Sequence, residues 1–372
     1  MRQSISGMLR RRFLYGCAAA PALLRAQQNS APGKYQPVAL APDQGGIVYW
    51  SSDDLKKAHA TLAAAASKGL PTPTPRDLVE LPITHTHAYN FLCRYPVANR
   101  QPRAEFHQGN TDVYFIQAGS GTITIGGQLD PPEPVAGEPG EFQSNTVKGG
   151  RDFHVKPGDI INIPPSTSHI THPDPGGVSY MLVKVNLGMY PWTQVAGYPS
   201  AAHPKGDAEF TGDQGGLVYW PAEDLKKGHT LLTEAAAKGQ TRPVGDLVPT
   251  PVTRTHLYDF VSRYPTPGRE ARAEYHEGCT DIYFIVAGAA TMTIGGDLVE
   301  PTQSARMAGE YQGASVKGGK TYRVKAGDVL NIPPATAHLT HPDPGGLTYM
   351  LLKVNIGMWP WNIVATQQRG PR

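Results

Sequence analysis

Apolar and polar residues alternate in short runs along most of this chain. ITHTHAYNFL, AEFHQG, DVYFIQAG, GTITIGG, DFHVKPG, DIINIPP and YMLVKVNLG each show period-two alternation or a β-branched core, with Gly, Pro, Asn and Asp between them. Short strands at regular spacing, divided by turn residues, predict an all-β sandwich or barrel. One segment departs from this pattern. After a short strand at Ile47–Trp50, Ser51 and Ser52 are N-cap candidates and Asp53 and Asp54 fall in a first turn. An alanine-rich run then reaches Lys68 and stops at Gly69, which predicts a helix.

The whole pattern then recurs. DQGGIVYW (Asp43–Trp50) returns as DQGGLVYW (Asp213–Trp220), DDLKKAH as EDLKKGH, and THPDPGG (Thr171–Gly177) unchanged as Thr340–Gly346. After one small slip behind the first helix the offset holds at 169 residues, and the second helix is expected from Glu223 to Lys238, before Gly239. A repeat this long means two copies of one domain rather than a solenoid of short units. We therefore divide the chain into domains at 43–200 and 201–372, each long enough to bury a core.

Composition refines this picture in three places. Gly and Pro are abundant, at 41 and 35 residues, which suits a turn-dense β protein. The formal charge of +3 comes from the N-terminus, whose first 27 residues hold five arginines and no acid; without them 29 basic residues face 31 acidic ones. That near-neutral body argues against a nucleic-acid surface. The N-terminal segment itself has signal-peptide layout, with Arg10-Arg11-Arg12-Phe13-Leu14 in the pattern of twin-arginine signals. We expect cleavage after Ala26, a linker over 27–42, a periplasmic or extracellular mature protein, and no transmembrane segment in it. The three cysteines, Cys17, Cys93 and Cys279, form neither a disulfide framework nor a Cys-rich zinc site.

Two segments carry chemistry. In Arg103-Ala-Glu105-Phe-His107 alternate residues share one strand face, so Arg103, Glu105 and His107 are expected to project together. A tight turn then returns Asp112 beside them; the second copy has Arg272, Glu274, His276 and Asp281. The other segment runs Gly158-Asp159-Ile-Ile-Asn-Ile-Pro164-Pro165 to His169, matched by Gly327 to His338.

With these residues the chain resembles the cupin superfamily, in duplicated (bicupin) form. The family's motifs are G-x5-H-x-H-x(3,4)-E-x6-G and G-x5-P-x-G-x2-H-x3-N. His107 and His276 match the second histidine of the first motif, and Asp112 and Asp281 stand at its glutamate, six residues before Gly119 and Gly288. Gly158, Pro164 and His169 match the second motif, as do Gly327, Pro333 and His338. The sequence departs where Glu105 and Glu274 replace the first histidine, where no glycine lies within Ser166–Ser168, and where the final asparagine is missing. The resemblance implies two tandem jelly-roll β-barrels, each preceded by one short α-helix, with a metal in each barrel mouth.

His107, Asp112 and His169, with His276, Asp281 and His338, then form two-histidine, one-carboxylate sets suited to a divalent ion, Fe or Mn, one per barrel. Glu105 and Glu274 are candidate fourth ligands or acid/base groups, or ion-pair partners of the neighbouring arginines. Arg103 and Arg272 are candidates to grip an acidic substrate. Tyr114 and Tyr283 share the face of the two aspartates and either line a pocket or pack it. Three functions fit: a metal-dependent enzyme on a small polar or aromatic substrate, with dioxygenase chemistry favoured over isomerase, lyase or decarboxylase; a non-catalytic binder of a sugar or other small molecule; or a structural protein. Fold alone does not choose among them.

Overall fold

The computed structural model describes residues 45–186 and 216–355, less short stretches at 71–72, 85, 98–100, 137, 139, 241–247, 254, 266–269 and 304–308. The expected signal (1–26) and linker (27–42) lie outside the described residues. No helix among the described residues is long and apolar enough to cross a membrane.

Strands dominate, and each repeat opens with a short strand and a helix. The first helix is Ser52–Ser67; the Ser51 hydroxyl accepts the Asp54 N–H at 3.1 Å, and Leu55, Ala58 and Leu62 form its buried stripe. The second, Ala222–Ala237, follows Pro221, which offers no side-chain cap. A short helix at Pro75–Leu78, boxed by Thr74 and Asp77, is one that the alternation pattern does not predict.

Two long antiparallel strands organise each sheet. In the first repeat Asn110–Ile125 pairs with His169–Asn186, and in the second Cys279–Ile294 pairs with His338–Asn355. Asn110–Ile125 pairs with Ile160–Ile163 along its first half and Arg151–Val155 along its second, so it bends across two walls of a barrel. The enclosed core includes Tyr114, Ile123, Ile161 and Tyr180. DVYFIQAG and GTITIGG, two separate runs in the alternation pattern, are one continuous strand, and THPDPGG, for all its proline and glycine, is part of the 18-residue strand His169–Asn186, with its register shifted between Pro173 and Val178. The reason is close backbone approach at the bend. Gly119 has φ +68°, and a Cβ there would lie 2.0 Å from the Gly177 carbonyl oxygen.

The repeats exchange strands. Val48–Trp50 pairs with Val329–Ile332 of the second repeat, and Val218–Trp220 pairs with Ile160–Ile163 of the first. Boundaries at 43–200 and 201–372 follow the sequence repeat, therefore, but cut through both sheets. The exchange is driven by apolar burial: Val48, Trp50, Leu55, Phe115, Trp220 and Phe284 belong to one core shared by the repeats. Phe115 and Phe284 meet across it with ring centroids 5.2 Å apart.

Polar groups complete this seam. Tyr89 and Tyr258 donate to the side-chain oxygens of Asn331 and Asn162 at 2.7 Å. Asp328 accepts the Ser52 N–H, and Asp159 the Ala222 N–H, each at 2.7 Å, so each helix start is bonded by an aspartate of the other repeat.

His87 and His256 are fully buried beside threonine hydroxyls, His87 Nδ1 lying 3.1 Å from both Thr84 and Thr86 Oγ1. Burial pushes His87 from 6.5 down to about 4 and His256 to about 3. Both are depressed, so their neutral forms contribute stability that is intact above pH 6.5 and lost as pH falls towards those values. At pH 5 the loss should be about 2 kcal/mol per histidine. Urea unfolding at pH 7 and pH 5 checks this: the parent should lose more stability than a His87→Gln, His256→Gln variant, and equal losses would refute the assignment.

Candidate metal centre

In each repeat four side chains converge from three strands. Glu105 and His107 project from Ala104–His107, Asp112 from Asn110–Ile125, and His169 begins the last long strand. His169 lies directly opposite Glu105 in the ladder, which brings the two motif segments together. The ligand atoms of Glu105, His107 and His169 lie within 4.8 Å of one another, as do those of Glu274, His276 and His338.

Distances sharpen the set. His107 Nε2 is 3.4 Å from Asp112 Oδ2 and 3.8 Å from Glu105 Oε2. His169 Nε2 is 3.7 Å from Asp112 Oδ2 and 3.9 Å from Glu105 Oε2. Donors bound about 2.0–2.2 Å from one ion stand roughly 3–3.6 Å apart, so small side-chain movements would close this set on a cation. In the second repeat Asp281 Oδ2 is 3.2 Å from His276 Nε2 and 3.9 Å from His338 Nε2.

Each imidazole is fixed by its other nitrogen. His169 Nδ1 donates to the Thr167 carbonyl and His338 Nδ1 to that of Thr336, each at 3.1 Å. His107 Nδ1 bonds to Glu141, and His276 Nδ1 to Glu310. All four Nε2 atoms are thereby aimed at the cluster, an orientation typical of metal-bound histidine. Nε2 of His107, His169 and His338, with Oδ2 of Asp281, are buried without a hydrogen-bond partner. Buried polar atoms are rarely left so, and a bound cation would satisfy them together. The residues present therefore fit a metal ion.

The carboxylates are tethered from behind. Lys184 Nζ holds Asp112 Oδ1 at 3.1 Å, and Lys353 holds Asp281 Oδ1 at 2.8 Å. Arg94 holds Glu105 Oε1 at 3.2 Å, and Arg263 holds Glu274 Oε1 at 2.9 Å. In every case the other oxygen faces the histidines.

Burial pushes the Asp112 carboxyl up, but Lys184 and the histidines outweigh it and hold it well below the usual range. Glu105 is likewise held down against burial by Arg94, His169 and His107. Burial and Lys184 pull His107 down, yet Asp112 and Glu141 prevail and raise it to about 9. Burial, then the neighbouring His107, keeps His169 low.

Arg103 does not share this face. The strand begins at Ala104, so alternation does not govern Arg103, which is exposed and bonds Glu133 at 2.8 Å. Arg272 is exposed as well. The guanidinium beside Glu105 is that of Arg94, from the strand His87–Arg94, and Arg263 takes its place in the second repeat. Tyr114 and Tyr180 stack with centroids 4.4 Å apart, and Tyr114 meets His169 edge-on. Both tyrosines are fully buried.

Sequence reasoning missed Arg94, Glu141 and Lys184. The internal repeat held a signal for each: Arg-Tyr-Pro recurs at Arg94 and Arg263, Gly-Glu at Glu141 and Glu310, and a lone lysine in an apolar run at Lys184 and Lys353. Cys279 is buried beside Asp281 and Lys353 where the first repeat has Asn110, and Cys93 and Cys279 are both unbridged.

No family model and no curated protein matches the chain. Solved structures do. Salicylate 1,2-dioxygenase from Pseudaminobacter salicylatoxidans aligns over 92% of this chain and 95% of its own, with TM-score 0.50 and 11% identity. Its gentisate adduct covers 92% of each chain at TM-score 0.49 and 12% identity. A cupin 2 conserved barrel domain protein from Leptotrichia buccalis covers 78% of this chain and 93% of its own, with TM-score 0.39 and 8% identity. At 11% identity the first of these likenesses speaks to fold alone, and it agrees with the paired bent sheets and the repeated motif residues: this chain has the duplicated cupin fold.

Proposed function

We propose that the protein is a metal-dependent enzyme with one divalent ion, Fe or Mn, in each barrel, acting on a small polar or aromatic substrate by dioxygenase-type chemistry. The observation that carries this reading is the set of buried donor atoms left unpartnered at each cluster, Nε2 of His107 and His169 in the first repeat and Nε2 of His338 with Oδ2 of Asp281 in the second. Mixed imidazole and carboxylate donors suit Fe(II) and Mn(II) and leave positions open for substrate and O₂.

Glu105, His107, His169 and Asp112 would hold the ion in the first repeat, with Glu274, His276, His338 and Asp281 in the second. When bound, that ion supplies a Lewis-acidic centre at which O₂ and substrate can meet. The chain's own residues do the positioning. Glu141 keeps His107 Nε2 directed inward, and the Thr167 carbonyl does so for His169. His107, His169 and Asp112 are almost wholly shielded, whereas the Glu105 and Arg94 side chains are 23% and 40% accessible, so substrate approaches from their side. Arg94 stands there as the cation that would orient an anionic group, the part first read for Arg103.

Elemental mass spectrometry of the folded protein tests this. About two Fe or Mn per chain should be present, and an oxygen electrode should register uptake with a member of a panel of hydroxylated aromatic acids. Metal without turnover across the panel would favour the small-molecule binder; a protein that takes up no metal would sink the enzyme reading.

A further inference from the structure

We propose that Lys184 and Lys353 act as positioning residues that keep the two metal centres divalent, by setting a fixed positive charge against the aspartate that faces the ion. The inference rests on the metal-centre reading above and concerns residues that reading does not require.

The geometry is the same in both repeats. Lys184 is the direct cross-strand partner of Asp112, and Lys353 that of Asp281. Lys184 Nζ lies 3.1 Å from Asp112 Oδ1 and 3.4 Å from Oδ2, the oxygen that faces both imidazoles. Lys353 Nζ lies 2.8 Å from Asp281 Oδ1. Both lysines are buried, in strands whose neighbouring residues (Met181, Leu182, Val183 and Val185 in the first repeat) are buried and apolar. A buried ammonium is costly, and an apolar residue would suit that register better on packing grounds alone.

The charges explain what the lysine does. Around the first site stand three carboxylates (Glu105, Asp112 and Glu141) and two fixed cations (Arg94 and Lys184). A divalent ion brings this set to one positive charge and a trivalent ion to two. Repulsion from the ammonium grows with the ion's charge, so it falls harder on the trivalent state. Arg94 acts on Glu105 in the same sense, but its side chain is 40% accessible and solvent screens it. Lys184 is shielded from solvent and holds its charge close to the metal.

The test uses the full chain and the metals alone. Mn(II) binding is measured by its free-ion electron spin resonance. The Fe(III)/Fe(II) midpoint is measured with mediator dyes, iron giving up one electron to the oxidised dye with no atom transferred. In Lys184→Met and Lys353→Met, Mn(II) should bind roughly tenfold or more tightly at the altered site, and its iron midpoint should move downwards. Lys184→Gln, which retains a polar head group, should show the same shifts if the methionine variant folds poorly. Lys184→Arg retains the charge and should leave both values near the parent's. Folded, metal-loaded Met and Gln variants with unchanged affinity and midpoint would overturn the proposal and reduce the lysines to plain ion-pair partners. A parent that binds neither metal would overturn the metal-centre reading and this inference with it. The two failures differ because one is seen in the parent and the other only in the variants.

Discussion

Glu105→Ala should weaken Mn(II) or Fe(II) binding at the first site roughly 100-fold or more, and Glu274→Ala should do the same at the second. The comparison that gives this weight is Glu141→Ala. Glu141 bonds the far nitrogen of His107 and cannot itself reach the ion through that contact. Removing such a partner of a ligand typically costs 10–100-fold in affinity, so a residue that supplies a donor atom should cost more. Glu105 qualifies because Arg94 occupies Oε1 while Oε2 is left 3.8 and 3.9 Å from the two histidines. It stands where the family motif has a histidine, so the variant also tests whether that replacement changes the donor or removes it. Metal titration of the two variants decides the matter. Unchanged affinity in Glu105→Ala beside a loss in Glu141→Ala would make Glu105 the ion-pair partner of Arg94 and nothing more.

The second large effect concerns the seam between repeats. Asp159→Ala should lower folding stability by about 3 kcal/mol, and a double variant with Asp328→Ala by about twice that. Asp159 is fully buried and accepts three hydrogen bonds: from Ala222 N at 2.7 Å, Lys156 N at 2.9 Å and Tyr219 Oη at 2.8 Å. Alanine leaves the two backbone donors without an acceptor, each at a cost of about 1–3 kcal/mol where water cannot replace it, while the Tyr219 hydroxyl keeps the His154 carbonyl at 3.3 Å. It also removes the acceptor at the start of a helix whose own N-cap is proline. Against a typical total of about 5–15 kcal/mol, the double variant approaches the limit of foldability. Urea midpoints of the single variants provide the check; a change under about 1 kcal/mol would mean that solvent satisfies these groups.

The sequence made local structure and motif chemistry legible. The first helix begins after Ser51 and ends before Gly69 because capping is local. His107, Asp112 and His169 meet because motif spacing on strands encodes which face a residue takes. What escaped depends on partners distant in sequence. Period two assigns a face but not the neighbouring strand, so Arg94 beside Glu105 and Lys184 beside Asp112 become visible only with the ladder. Arg103 was misplaced for a related reason: alternation was extended one residue beyond the end of the strand, to a position where the chain is free to turn outward. Likewise THPDPGG has turn composition, yet the long strand passes through it by shifting register.

The strand exchange also constrains how the chain acquires its structure. Ser52 meets Asp328 across 276 residues of sequence, and Val48–Trp50 finishes a sheet whose other strands come from the opposite half. Contacts this remote carry a high closure entropy and place the last step of sheet formation after nearly all of the chain is available. During synthesis the first repeat must wait for Val218–Trp220, and Val48–Trp50 must wait for the second repeat. A half-chain ending between the repeats would expose an unpaired edge at Ile160–Ile163 and carry an opening strand with no sheet to join. The unit that was duplicated is thus not the unit that folds: the repeat is complete as a stretch of sequence, and only the pair is complete as a structure.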